Sequence, residues 1–293
     1  MHKSGFVNIV GNPNVGKSTL MNDLVGERIS IITSKSQTTR HRIMGIVNGE
    51  DFQIIYSDTP GVLKPNYKLQ SSMLDFSTSA LKDADVLLYV TDSIESFDKN
   101  QFFLEKVQKT NVPVLLLINK IDLLDEAKLL ALVDRWKSVL PKAEIFPISA
   151  LHKFNIDNVL NRIKELLPEG EPYFDKDALT DKPARFFVNE IIREKILLNY
   201  DKEIPYSTEV AVESFKEDDK MIRISAVIFV ERDSQKGIII GKGGASLKKV
   251  GSDARKDIEA FFDKKVFLQL FVKVEQDWRN KENKLKGFGY IQN

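Results

Sequence analysis

The 293-residue chain contains no cysteine. Disulfides, thiolate metal sites and cysteine nucleophiles are therefore excluded, and the absence suits a reducing cytoplasm. An excess of charge of either sign is missing too: 43 Lys+Arg against 42 Asp+Glu leave a formal net charge of +1. The charge of the whole chain thus points to neither a nucleic acid nor a membrane surface, and any basic patch has to be local. Long hydrophobic runs are absent. Val112–Ile118 falls far short of the roughly 18 residues that span a bilayer. The opening MHKSGFVNIVGNP runs straight into strand and loop and does not read as a signal peptide. A soluble protein is expected, one that meets a membrane only at its surface. There is no internal repeat and no low-complexity segment.

What is present suits ordinary globular cores: 42% of residues are hydrophobic and 29% charged, over a length that suggests about two domains. Short apolar runs at Phe6–Val10, Phe52–Ser57, Val86–Thr91, Val114–Asn119 and Glu144–Ile148 read as buried strands. Helical patterns at Lys17–Val25, Leu69–Ala80, Lys99–Lys109, Leu129–Val139 and Ile156–Leu167 alternate with them. Such alternation predicts an α/β domain over residues 1–170, a mostly parallel sheet with helices on both faces, with ligands at the carboxyl ends of the strands. Pro168–Pro183, rich in proline and charge, breaks the pattern and reads as a linker, assigned to 171–183. From 184 to 293 the order becomes α-β-β-α-α-β, a separate α+β domain.

Gly11–Ser18 (GNPNVGKS) fits the phosphate-loop pattern in its required context, after a strand and opening a helix. Its glycines let backbone N–H groups curl onto phosphate oxygens, and the helix N-terminus adds positive potential. Lys17 is expected to reach the β- and γ-phosphates and the Ser18 hydroxyl to bind Mg²⁺. Asp58–Gly61 (DTPG) ends the second core strand. Asp58 should hold the Mg²⁺ shell, and Gly61 should offer its N–H to the γ-phosphate. Asn119, Lys120 and Asp122 (NKID) separate GTP from ATP, because Asp122 can accept from both the N1–H and the exocyclic amine of guanine. A site built on such a pair discriminates by on the order of 10⁴. The stem of Lys120 covers the base, and Asn119 ties this loop to the phosphate loop. Ser149, Ala150 and Leu151 suit a second base-contacting loop, with the Ala150 N–H facing the purine oxygen. The nucleotide-contacting set is thus Gly11, Asn12, Pro13, Asn14, Val15, Gly16, Lys17, Ser18, Thr19, Asp58, Thr59, Pro60, Gly61, Asn119, Lys120, Asp122, Ser149, Ala150 and Leu151.

The polar stretch Ser34–Arg42 lies where a mobile switch belongs. Thr39 is the first choice to close over Mg²⁺ and the γ-phosphate, Thr38 the second. Arg40 and Arg42 read as solvated. Val62 stands where many GTPases carry a water-orienting glutamine, so slow intrinsic hydrolysis is expected, with help from elsewhere. Asn14 either ligates a monovalent cation bridging the phosphates or caps its own backbone.

In the second domain Gly241–Gly244 (GKGG) joins an apolar helix to a basic amphipathic one. A G-x-x-G loop between helices lets a nucleic-acid backbone approach closely. Lys242 lies inside it, and Lys248, Lys249, Arg255 and Lys256 follow. From Arg232 onward, 14 Lys+Arg against 8 Asp+Glu give a local net charge of +6, which suits phosphate contacts. For any single lysine a solvated helix face is an equal reading. Phe261, Phe262, Phe267 and Phe271 read as core.

The whole chain resembles the bacterial Era family of GTPases. GNPNVGKSTL, QTTRHR, DTPG, NKID and SAL carry the resemblance in the first domain. IPYSTEV, IIIGKGGASLKKVGSDARKDIEAFF and DWRNKENKLKGFGY carry it in the second. The resemblance implies a TRAFAC-class GTPase domain followed by a type II KH domain with a basic C-terminal tail. It implies binding of GTP or GDP with Mg²⁺, contact with the 3′ region of 16S ribosomal RNA through Gly241, Lys242, Gly243, Gly244, Lys248, Lys249 and Arg255, and a role in maturation of the small (30S) ribosomal subunit. Related members hold potassium at Asn14 and replace the catalytic glutamine by a hydrophobic residue. Lys17, Thr39, Gly61 and Asn14 are then the residues expected to act in hydrolysis. A monomer is expected, with no DNA partner, in the cytoplasm and peripherally at the inner face of the membrane. Two other classes fit the motifs less well: a signalling or membrane-associated G protein whose C-terminal domain binds a protein, and a P-loop ATPase or kinase.

Overall fold

The computed structural model describes residues 2–95 and 99–291; residue 1 of the first expected domain and residues 292–293 of the second lie outside the described residues. The chain forms two compact units, with the division after Asp181.

The first unit is built on a six-stranded sheet in the order β2-β3-β1-β4-β5-β6. Its strands are β1 (Lys3–Gly11), β2 (Ile43–Asn48), β3 (Phe52–Asp58), β4 (Val86–Asp92), β5 (Val114–Asn119) and β6 (Glu144–Pro147). All pairings are parallel except β2 with β3. Five helices follow the strands: α1 (Lys17–Val25), α2 (Lys68–Ser79), α3 (Gln101–Gln108), α4 (Glu126–Val139) and α5 (Ile156–Leu166). Every residue of β4 is buried, as expected of a central strand covered on both faces. Leu87 and Tyr89 enter a cluster with Phe103 and Leu104 of α3 and Trp136 of α4. Their equally buried neighbours Leu88 and Val90 point to the opposite face, by the two-residue period of a strand.

Strand β2 is an addition to the five strands read from the sequence. It pairs with β3 through a tight connection at 49–51, where the Gly49 N–H donates to the Phe52 carbonyl at 2.8 Å. The stretch read as a linker is not a free tether. Tyr173 and Phe174 donate their main-chain N–H groups to Gln53 Oε1 at 2.7 and 3.0 Å. Further on, Ile46 N–H donates to the Leu179 carbonyl at 2.8 Å, Thr180 Oγ1 donates to the Met44 carbonyl at 2.6 Å, and Met44 N–H donates to Asp181 Oδ1 at 2.9 Å. Residues 179–181 thus line the outer edge of the sheet along β2.

The second unit holds α6 (Ala184–Asn199), β7 (Glu209–Glu217), β8 (Met221–Val230), α7 (Asp233–Ile240), α8 (Ala245–Phe262), β9 (Lys265–Val274) and α9 (Glu282–Gly287). Its sheet runs β7-β8-β9, antiparallel then parallel. Ile192 and Ile196 of α6, Ile228 of β8, and Ala254 and Ile258 of α8 form its core. Two expectations change here. Phe267 and Phe271 are 50% and 49% exposed, because odd positions of the outer strand β9 face away from the helices; Phe261, near the end of α8, is 38% exposed, and of the four only Phe262 packs on the core. The segment read as a basic tail is folded: Trp278 is fully buried and donates Nε1–H to the Ser207 carbonyl at 3.0 Å, while Tyr290 Oη donates to Glu209 Oε2 at 2.6 Å. Among the described residues no helix is long and apolar enough to cross a membrane.

Candidate functional site: a nucleotide cleft and a glycine-lysine loop

Parallel register brings four strand ends to one edge. Ile9 pairs with Asp58, Gly11 with Val90 and Asp92 with Asn119. The phosphate loop, Asp58, Asp92 and the NKID segment therefore lie side by side at this edge, and the phosphate loop and NKID segment line a cavity of about 620 Å³, within the usual size of ligand clefts.

Gly16 closes the phosphate loop at φ +97°, and a Cβ there would lie 2.1 Å from Asn119 Nδ2, so only glycine fits. Lys17, buried, donates Nζ–H to the Asn12 carbonyl at 2.8 Å. Burial pushes its pKa down to about 8, against the upward pull of Asp58 and Glu95; an anionic phosphate would add the same upward pull. Asn14 adopts φ +66° and donates its side-chain amide to the Ser34 carbonyl at 3.0 Å. Its side chain reaches the switch stretch, not its own backbone.

Ser18 Oγ donates to Asp58 Oδ2 at 2.7 Å and lies 2.8 Å from Thr39 Oγ1, which stands 3.4 Å from the same carboxylate. Asp58 is fully buried, and its Oδ1 has no hydrogen-bond partner. Burial raises its pKa, opposed by Lys17 and by hydroxyl hydrogen bonds. Three convergent oxygen ligands, one carrying an orphaned lone pair, fit a hard divalent cation such as Mg²⁺. Thr38 is placed elsewhere: its hydroxyl donates to the Lys35 carbonyl at 2.6 Å.

The arginines of the switch stretch are not solvated. Arg40 is fully buried. Arg42 donates to both Asp83 oxygens at 2.6 and 3.0 Å and to Asn8 Oδ1 at 3.1 Å. A guanidinium surrounded by acceptors is worth more inside than in water, which the local polar sequence does not reveal.

In the base loops, Asn119 Nδ2 donates to the Val15 carbonyl at 2.8 Å, and its Oδ1 accepts the Ala150 N–H at 2.9 Å. That N–H was expected to face the purine; the buried Asn119 oxygen takes it instead. Ser149 Oγ donates to Asp122 Oδ1 at 2.6 Å and so aims the carboxylate. Lys120 Nζ bridges the Asn14 carbonyl and Asp92 Oδ2, both at 2.6 Å. Asp92, absent from the expected set, thus anchors the lysine. Its place at the carboxyl end of a buried strand was the available signal. Pro13, Thr19, Gly61 and Leu151 also line the cavity. Thr59 Oγ1 donates to the Ile9 carbonyl at 2.8 Å, and the Pro60 carbonyl accepts from Ser77 at 2.7 Å. Val62 is 1% exposed, packed in the core, with its N–H on the Gly11 carbonyl at 3.1 Å, so its side chain cannot orient a water in the cleft.

In the second unit Gly241–Gly244 joins α7 to α8 as a single tight turn. Gly243 and Gly244 take φ +59° and +78°, with nothing within 4 Å of a Cβ built there. The requirement is therefore conformational, and the loop is open to an approaching backbone. Lys242, Lys248 and Lys249 are exposed, and no ion pair among the described residues takes them. Arg255 differs: it donates to both Glu259 oxygens at 3.0 and 3.1 Å.

A phosphate loop, a cation-ready hydroxyl–carboxylate cluster and a guanine-type NKID loop, followed by a KH fold, define a guanine-nucleotide-binding protein with an RNA-binding type of module. Residues 6–120 match the family model for 50S ribosome-binding GTPases, and residues 203–279 match that for KH domains. GTPase Era of Staphylococcus haemolyticus (strain JCSC1435) is 45% identical over 293 residues, 99% of this chain and 98% of that one. A crystal structure of Era in complex with MgGDPNP and nucleotides 1506–1542 of 16S ribosomal RNA is 40% identical, with a TM-score of 0.95 and 100% of both chains covered. A single-residue variant of Aquifex aeolicus Era bound to GDP·AlF4⁻ is 40% identical, with a TM-score of 0.94 over 99% of this chain and 100% of that one. The chain belongs to the Era family of GTPases.

Proposed function

We propose that this protein is a GTP-hydrolysing switch that binds the 3′ region of 16S ribosomal RNA and acts in maturation of the small ribosomal subunit. The observation that carries the reading is the meeting of Ser18, Thr39 and Asp58 with Asn119 and Asp122 in one cleft: phosphate, cation and guanine are served together. In support, a relative 40% identical over its whole length binds MgGDPNP and nucleotides 1506–1542 of 16S ribosomal RNA.

Lys17 neutralises the β- and γ-phosphates, and the main-chain N–H groups of the phosphate loop cradle them. Ser18 and Thr39 hold Mg²⁺ with Asp58, and the bound ion neutralises phosphate charge. Gly61 offers its N–H to the γ-phosphate. Asp122, aimed by Ser149, selects guanine, and Lys120 lies along the base. Water attacks the γ-phosphorus, the bond to the β–γ bridging oxygen breaks, and GDP leaves with that electron pair. The water proton passes to the released phosphate. With Val62 packed away from the cleft, intrinsic hydrolysis is slow. The Asn14 side-chain oxygen would hold a potassium ion, which would supply further positive charge beside the phosphates. Exchanging potassium for sodium should then slow wild-type hydrolysis and leave Asn14→Gly, which keeps the left-handed backbone, unchanged.

In the KH module, Gly241–Gly244 lets the RNA backbone close in, and Lys242, Lys248 and Lys249 meet its phosphates, with Arg255 beside them. The protein acts as a monomer in the cytoplasm, where its RNA partner is; a peripheral stay at the inner face of the membrane rests on the family resemblance. GTP with Mg²⁺ orders Gln37–Arg42 and so biases RNA binding. The test is RNA affinity at fixed salt with GDP and with a non-hydrolysable GTP analogue. Unequal affinities are expected; equal ones mean no coupling between the sites.

A further inference from the structure

Asn100 opens α3 in the left-handed region, at φ 55° and ψ 40°, and its side chain makes no bond to the helix it caps. An asparagine at that position ordinarily satisfies the first helical N–H groups. Here the side chain turns the other way. Its Nδ2 donates to Asn12 Oδ1 at 2.7 Å and to the Val62 carbonyl at 2.7 Å.

Both targets belong to the nucleotide site. Asn12 is a 3% exposed residue of the phosphate loop, and its main-chain carbonyl accepts from Lys17 Nζ. Asn100 uses both hydrogens of its amide, one on Asn12 Oδ1 and one on the Val62 carbonyl. Val62 is fixed at both polar ends, since its N–H already donates to the Gly11 carbonyl. Val62 is therefore tied to the phosphate loop twice, directly at its N–H and through Asn100 at its carbonyl.

We propose that Asn100 is a positioning residue for GTP hydrolysis, holding Val62, and through it the backbone of the preceding Gly61, against the phosphate loop so that the Gly61 N–H stays where charge develops on the γ-phosphate. The inference rests on the GTPase reading above. No glutamine side chain follows Gly61, so the rate depends on main-chain donors placed beforehand. A small displacement of such a donor costs up to about a hundredfold.

Two variants keep the left-handed backbone and remove the donor: Asn100→Gly deletes the amide, and Asn100→Asp keeps its size but faces the Val62 carbonyl with a carboxylate. Both are expected to lower kcat for GTP by about tenfold or more while KM and the GDP dissociation constant stay within about threefold. The GDP–aluminium fluoride complex should weaken in step with kcat, and the melting temperature should hold. A wild-type kcat in Asn100→Asp, or loss of kcat together with GDP binding and melting temperature, overturns the proposal. Wild-type protein that fails to hydrolyse GTP overturns the GTPase reading itself.

Discussion

Asn119 and Val15 are joined by a hydrogen bond of 2.8 Å from side-chain amide to main-chain carbonyl, and the same side chain receives the Ala150 N–H. One buried residue thus holds three loops of the nucleotide cleft in register. Asn119→Ala leaves a buried carbonyl and a buried N–H without partners, at about 1–3 kcal/mol each. GTP and GDP affinity should fall together by at least about tenfold, read by titration with fluorescent nucleotides.

In the proposed function Asp122 selects the base by accepting from guanine. Asp122→Asn reverses the pattern of donors and acceptors and should shift preference from guanosine to xanthosine nucleotides by on the order of 10³. Competitive titration of GDP against xanthosine diphosphate measures the shift. An unchanged preference would revive the ATPase reading.

Thr39 reaches Ser18 and Asp58 only because the switch stretch is closed over them. Thr39→Ala removes one hydroxyl ligand and leaves Asp58 and Ser18 in place. Single-turnover hydrolysis should drop by at least about tenfold, with GDP affinity nearly unchanged, and a higher Mg²⁺ concentration should be needed for half-maximal rate.

The open turn at Gly243 predicts a different pattern in the second unit. Gly243→Asp adds a side chain at φ +59° and a negative charge in the path of a phosphate backbone, so RNA binding should be lost with GTP hydrolysis intact. Lys248→Ala should weaken binding to all RNA sequences alike and flatten the salt dependence by about one charge.

Trp278 tests the folded C-terminal segment. It is fully buried, and Trp278→Ala should destabilise the second unit by about 3–5 kcal/mol. In urea this appears as an earlier transition of that unit, with nucleotide binding by the first unit preserved to higher denaturant.

The motif residues were legible because each sits at the end of an apolar strand, where parallel register leaves little choice of position. Thr39 could be preferred over Thr38 only by pattern; the distances to Ser18 and Asp58 separate them. What stayed hidden depends on partners far away in the chain. Arg42 reads as solvated until Asp83, 41 residues on, is seen beside it. Asn100 falls inside the helical pattern Lys99–Lys109, and nothing marks it until Asn12 and Val62 are found to use its amide. Phe267 and Phe271 share a strand with core residues, and only the order of the sheet tells that their face is bare.

The pairing of residues 179–181 with β2 has a practical consequence. β2 is the outermost strand of the first sheet, and the Leu179 carbonyl, Thr180 and Asp181 occupy the hydrogen-bonding groups on its free side. An uncovered strand of that kind recruits strands from other molecules. A GTPase fragment ended at residue 170 would expose it and should self-associate at working concentrations, whereas one ended after Asp181 should stay dispersed. Light scattering of the two fragments distinguishes these outcomes, and the cleavage point for separating the halves is best placed after that cover.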